Sequence, residues 1–185
     1  MKYNYLFLIF LFGIYSCSSK LDRATYQKYQ NTGNDISATV QATLLSNVAQ
    51  AIQQGGTEHA VEFCNLQATS ILDSLNQEYD CKISRVSDKN RNPNNKMRTE
   101  QEIKLWEIFK NGTLADTLIK ADNNVVFYKP IRTGMPACLK CHGNPDSDID
   151  PETFQKIQKL YPNDLATGYR LNELRGLWKI EFAGK

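Results

Sequence analysis

The sequence predicts an α+β fold, and three observations support this. Helical periodicity dominates the first half of the chain, and strand patterns lie mostly in the second half. No strand–helix–strand alternation is present, which argues against a parallel sheet. The length of 185 residues suits one domain with a short tail.

The composition is that of an ordinary globular protein, with 41% hydrophobic residues. The 22 Lys and Arg residues against 20 Asp and Glu give a net charge of +2. Because no basic stripe accompanies this small charge, we expect no nucleic-acid partner. Five cysteines against two histidines is the informative count, since any site that needs a histidine has few places to form.

Residues 1–17 resemble the signal peptide of bacterial lipoproteins. Lys2 precedes an apolar run at residues 6–14 that is too short to span a bilayer. Ser16 and Cys17 follow the run, as in the lipobox, where the cysteine is acylated. Tyr15 is bulkier than the usual residue there, so plain signal-peptidase cleavage is one alternative, and an uncleaved anchor with an incidental cysteine is the other. We expect a periplasmic or cell-surface location, with a lipidated Cys17 holding the protein at a membrane surface.

Two helices are predicted after the signal peptide. Residues 18–35 are polar and are predicted to be a tether, and residues 36–185 are predicted to form the folded domain. Apolar residues at every fourth position indicate a helix over residues 36–52. Gly55 and Gly56 should end it, and Thr57 can cap a second helix that runs to about Leu75.

Shorter elements follow these helices. The predicted elements are a strand at residues 81–86, a polar loop at 87–98, a helix from a capping box at Thr99 to Lys110, a strand at 125–128 ending at Pro130, a helix opened by Asp150 and Pro151 and ending at Leu160, and a strand at 177–182.

A Cys-x-x-Cys-His motif at Cys138, Cys141 and His142 carries the chemistry. Two thiols at this spacing can each bond a vinyl group of one haem, and the histidine that follows can ligate the iron. A zinc site would need a second ligand pair at metal-binding spacing, and only Cys64 and Cys81 remain. A thiol–disulfide oxidoreductase usually carries its motif in a βαβ setting, whereas this one is predicted to lie in a loop. The motif therefore favours one covalently attached haem c.

The second axial ligand has several candidates. They are His59, Met97, Met135, Cys64, Cys81, a lysine or water. At 100° per residue, Cys64 lies in the centre of the apolar stripe of the second helix, and His59 should face solvent. Met135 is tethered close to Cys138. Periodicity alone favours Cys64 as a small buried hydrophobe, which is common for a free cysteine.

Several motifs together resemble a bacterial family of single c-haem domains. The motifs are the segments at residues 62–68, 85–87, 91–95, 128–131, 138–143 and 168–176, and the resemblance covers about residues 40–182. It implies a PAS-like α+β domain with N-terminal helices packed on an antiparallel sheet. It also implies that His142 and Cys64 are the two axial ligands of a covalently bound haem. The family usually has Gly before the acidic residue near its end, where this chain has Asn172, which tolerates the same left-handed turn.

Arg91 is a candidate partner for the haem propionates, because Arg binds carboxylates in a bidentate manner. Arg85 and Lys140 are further candidates, and the alternative for Arg91 is a solvated loop side chain.

Two function classes compete for such a domain. One is low-potential electron transfer, and the other is redox sensing or, as an alternative, gas sensing of CO or NO. The partner would be a redox protein or a membrane signalling protein. No acid–base or nucleophile constellation accompanies the motif, so we do not expect an enzyme.

Overall fold

The structure is a computed structural model that describes residues 21–121 and 124–183. The predicted signal peptide and Cys17 lie outside the described residues. The elements are α1 (Arg23–Tyr79), β1 (Lys82–Val86), a 3₁₀ helix (Pro93–Asn95), α2 (Glu100–Lys110), β2 (Thr117–Ala121), β3 (Asn124–Arg132), α3 (Pro136–His142), α4 (Pro151–Leu160) and β4 (Leu174–Phe182).

Helix α1 consists of two helices joined at Gly55 and Gly56. Gly55 (φ −162°, ψ 28°) and Gly56 (φ 73°, ψ −172°) leave the helical conformation, and a positive φ favours glycine. Ile36 and Leu75 belong to the same core cluster, although a straight helix would place them about 58 Å apart. The chain therefore folds back at the two glycines, where the sequence predicted the break.

The first of these helices begins earlier than predicted. The side chain of Asp22 caps its N-terminus, and Tyr29 packs against the core of the sheet. Gly33 lies so close to Phe127 that an added Cβ would overlap the aromatic ring. The predicted tether at residues 18–35 is therefore wrong from Arg23 onward. The segment is polar because most of its side chains face solvent. Gly33 and Tyr29 lie on the side that packs against the sheet.

The four strands form an antiparallel sheet in the order β1-β4-β3-β2. Strand β3 continues to Arg132, beyond the end predicted at Pro130, and β2 was not predicted. The pairing of β2 with β3 stops where Thr117 pairs with Tyr128. At Pro130, β3 therefore has a neighbouring strand on one side only, which is β4. Proline is tolerated at such an edge, because no ladder partner requires its missing N–H.

Helices cover both faces of the sheet. The two halves of α1 pack over Phe127 and Ile180 on one face, and α2 packs over Leu177 on the other. The capping box at Thr99 and Glu102 is present, as is the Asp150 cap of α4. The predicted α+β fold, with N-terminal helices on an antiparallel sheet, is confirmed.

The turn before β4 also follows the prediction. Asn172 has φ 64°, the left-handed conformation expected where the related family has glycine. Its backbone N–H donates to the carbonyl of Thr133, 2.9 Å away.

Over residues 21–121 and 124–183, no helix is both long enough and apolar enough to cross a membrane.

Candidate functional site

The Cys-x-x-Cys-His motif lies on a short helix and not in the predicted loop. Pro136 occupies the first turn of α3, where a proline costs no hydrogen bond. The backbone N–H of Cys138 donates to the carbonyl of Met135, 2.9 Å away, and so begins the first turn. Cys138 and Cys141 are three residues apart and lie on neighbouring positions of one helix face. Both thiols are unpaired and partly buried.

The ring of His142 is held in a defined orientation. Its Nδ1 atom lies 2.8 Å from the carbonyl oxygen of Ala166. Because a carbonyl can only accept, Nδ1 carries the proton and Nε2 is the free electron-pair donor. Burial, together with the charges of Arg175, Arg91 and Arg85, lowers the pKa of His142 well below its usual value. The imidazole is therefore neutral, as a metal ligand must be.

Cys64 is brought to the motif by a small apolar cluster. Val61, one helical turn before Cys64, packs with Ile149 and Ile157, and Cys141 contacts the same cluster. Burial raises the pKa of the Cys141 thiol, the charge of Arg91 lowers it, and charge on Cys64 raises it to a smaller extent. Burial also raises the pKa of the Cys64 thiol, and the charges of Arg85 and Arg91 oppose that rise. Cys64 thus adjoins the motif across some 75 residues of chain.

The other proposed ligands lie elsewhere. His59 is exposed, as predicted. Met97 packs in the cluster under α2, on the other face of the sheet, and Cys81 is unpaired beside the α1 core. Met135 is 45% exposed at the start of α3. Among the described residues, no three His, Cys, Asp or Glu side chains come together as a metal site, so the second ligand pair that zinc needs is not found there.

Arginines from three segments surround Cys64 and His142. Arg85 comes from β1, Arg91 from the following loop and Arg175 from β4. Burial lowers the pKa of Arg175 to about 10, so it stays charged at neutral pH. The Nε atom of Arg85 is buried and has no hydrogen-bond partner among the described residues, and its guanidinium lies 5.8 Å from the ring centroid of Trp178. Sequence reasoning missed Arg175, because no local pattern connects β4 to the motif.

Arg91 is neither a solvated loop residue nor a free cation. Its Nε and Nη2 atoms donate to both carboxylate oxygens of Asp164 at 3.1 and 3.0 Å. Nη2 also donates to the carbonyl of Cys141 at 2.7 Å. The Arg91 and Asp164 side chains are 13% and 7% exposed. Arg91 therefore ties the end of α3 to the loop that carries Ala166, the acceptor for His142. A role toward propionates stays a prediction.

Replacement of Asp164 by Asn is expected to lower the free energy of unfolding by about 3 kcal/mol, because it leaves the partly buried Arg91 guanidinium without its counter-charge. Urea denaturation followed by far-UV circular dichroism measures the loss. The matched control is Glu62→Gln, which removes the exposed pair with Lys156 (3.6 Å) and should cost less than about 1 kcal/mol. Equal stability of the two variants would contradict this view of the pair.

The fold and the site define a class of protein: an α+β domain whose Cys-x-x-Cys-His helix lies beside a cysteine of a folded-back helix pair. The chain belongs to the Tll0287-like family, whose model (Tll0287) matches residues 20–183. The structural match is to the crystal structure of the cyanobacterial heme-protein Tll0287, with a TM-score of 0.61 and 21% sequence identity. The match covers 82% of this chain and 95% of that chain. The predicted family resemblance is confirmed. None of the curated proteins matches the sequence.

Proposed function

We propose that this chain is a mono-haem c-type protein. Cys138 and Cys141 would hold one haem through thioether bonds, with His142 and Cys64 as axial ligands. The observation that carries the proposal is the free Nε2 of His142, fixed in direction by the Ala166 carbonyl and placed on the helix of two unpaired thiols. The related cyanobacterial protein is a heme-protein, which supports the same cofactor.

The charges around the site fit this cofactor. Asp164 forms an ion pair with Arg91, whereas neither Arg85 nor Arg175 has an ion-pair partner in the described part of the chain. Partly buried guanidinium groups without an anion are costly, and a haem brings two propionate carboxylates. The unpartnered Nε of Arg85 is the donor best suited to one of them. The donor set thus supports an anionic, thiol-reactive macrocycle.

A bound haem would supply one-electron exchange between ferric and ferrous iron. His142 and Cys64 would both ligate the iron and would leave no open coordination site for a substrate, so we propose no enzymatic activity. A thiolate from Cys64 would stabilise ferric iron and so favour a low reduction potential. We therefore propose low-potential electron transfer or redox sensing, with sensing of CO or NO as the alternative.

The proposed setting is the outside of the cytoplasmic membrane. Covalent haem attachment belongs to that compartment, and the predicted signal peptide with Cys17 fits it. We propose a periplasmic or cell-surface lipoprotein with a redox protein or a membrane signalling protein as partner. The net charge of +2 is small, so we propose no nucleic-acid partner.

Binding of carbon monoxide and nitric oxide to the reduced protein tests this function. A carrier is expected to remain six-coordinate and inert to both gases, because Cys64 keeps its position. A gas sensor is expected to bind at least one gas rapidly with loss of the Cys64 ligand. Stopped-flow absorbance of the dithionite-reduced protein measures this, with Met97→Leu as a control outside the site. A protein that carries no haem would overturn the proposal as a whole.

A further inference from the structure

The guanidinium of Arg175 lies against the Nδ1 edge of the His142 ring. Its Nε atom is 3.4 Å from Nδ1 of His142, and the same Nδ1 lies 2.8 Å from the Ala166 carbonyl. Nδ1 has one proton and gives it to the carbonyl, so it cannot also accept from Arg175. The contact between Arg175 and His142 is therefore a positive charge against the edge of a neutral ring, and not a hydrogen bond.

Several contacts hold this charge in place. Nη1 of Arg175 donates to Oγ of Ser87 at 3.2 Å and to the carbonyl of Lys89 at 3.3 Å. Oγ of the buried Ser87 in turn donates to the carbonyl of Arg175 at 2.9 Å. The guanidinium also lies 5.4 Å from the ring centroid of Tyr169, a ring that meets His142 edge-on. No salt bridge of Arg175 is present in the described residues, and the Asp164 carboxylate, whose charge also acts on Arg175, is bound by Arg91.

We propose that Arg175 is a positioning residue whose fixed charge raises the reduction potential of an iron bound to His142. This inference rests on the proposed function. A cation next to the axial histidine disfavours the extra positive charge of ferric iron, because like charges repel strongly in a partly buried site. Arg175 would act against the thiolate of Cys64, which favours ferric iron. The reduction potential would then depend on two opposing charges, the cation of Arg175 beside His142 and the thiolate of Cys64.

The test is the midpoint potential of the holo-protein in three variants. Arg175→Gln removes the charge and keeps a donor for Ser87. It is expected to lower the potential, with about a tenfold or greater fall in the equilibrium constant for reduction by a given mediator. Arg175→Lys keeps a charge and should stay close to wild type. The control is Lys89→Met, because the Lys89 ammonium lies 4.9 Å from the centroid of the same Tyr169 ring but has no contact with His142.

The potentials of these variants distinguish an electrostatic role of Arg175 from a structural one. An unchanged or raised potential in Arg175→Gln overturns the inference. An equal fall in Arg175→Lys and Arg175→Gln shows a structural role and also overturns it. If Arg175→Gln does not fold, Ser87→Ala releases one anchor of the guanidinium and should lower the potential by a smaller factor, and no fall there counts against the inference. Absence of haem from the wild-type protein contradicts the proposed function instead.

Discussion

The double variant Cys138→Ser/Cys141→Ser is expected to lose all covalently held haem, whereas the wild-type protein keeps its haem absorbance through acid–acetone extraction. The two thiols stand at the spacing of the two vinyl groups and are unpaired in the structure, and serine cannot form a thioether. The proteins should be expressed in a host with a working cytochrome c maturation system. The measurement is the absorbance that remains with the precipitated protein.

Cys81→Ser is the matched control for this experiment. Cys81 is also unpaired and partly buried, but it packs beside the α1 core, so its loss should leave the haem covalently attached. A colourless wild-type protein from such a host, or a zinc ion bound at Cys138 and Cys141, would refute covalent haem attachment.

The variant Cys64→Ala is expected to change the ligation and raise the reduction potential by an amount on the order of 0.1 V. A thiolate donates strongly to ferric iron, and its removal takes that stabilisation away. The wild-type ferric protein should show a low-spin, six-coordinate electron paramagnetic resonance spectrum, and Cys64→Ala should not. Potentiometric titration of both proteins measures the change in potential.

The control is again Cys81, replaced this time by Ala, which should leave the spectrum and the potential unchanged. Unchanged spectra for Cys64→Ala would mean that the second ligand is another group. Met97, the next candidate by sequence, packs on the opposite face of the sheet. Ligation by Met97 would therefore require the loop at residues 87–98 to rearrange when haem binds.

The sequence alone determined the features that depend on short spacings. The Cys138–His142 motif, the glycine break at Gly55 and the capping box at Thr99 each involve residues within one or two turns, so their physics is readable locally. The class of fold followed from the order of these patterns. The position of Cys64 on an apolar helix face was also readable, although the periodicity could not distinguish a ligand from a core residue.

Local patterns failed where a distant contact decided the structure. The first turns of α1 read as a polar tether, because few apolar residues besides Gly33 and Tyr29 mark the side that packs on the sheet. The strand ending at Arg132 passes through Pro130, which is tolerated because the pairing of β3 with β2 stops at Tyr128. The packing of α1 and the extent of β3 can be predicted only when the neighbouring segments of the fold are known.

The tertiary structure alone decided the surroundings of the motif. The Ala166 carbonyl places the proton of His142 on Nδ1. Asp164 forms an ion pair with Arg91, and β4 places Arg175 beside His142. These residues carry no shared spacing with Cys138, Cys141 or His142, since chain folding brings them together from separate elements. Charge interactions in a partly buried site depend on distances of a few ångströms, and only the folded chain sets those distances.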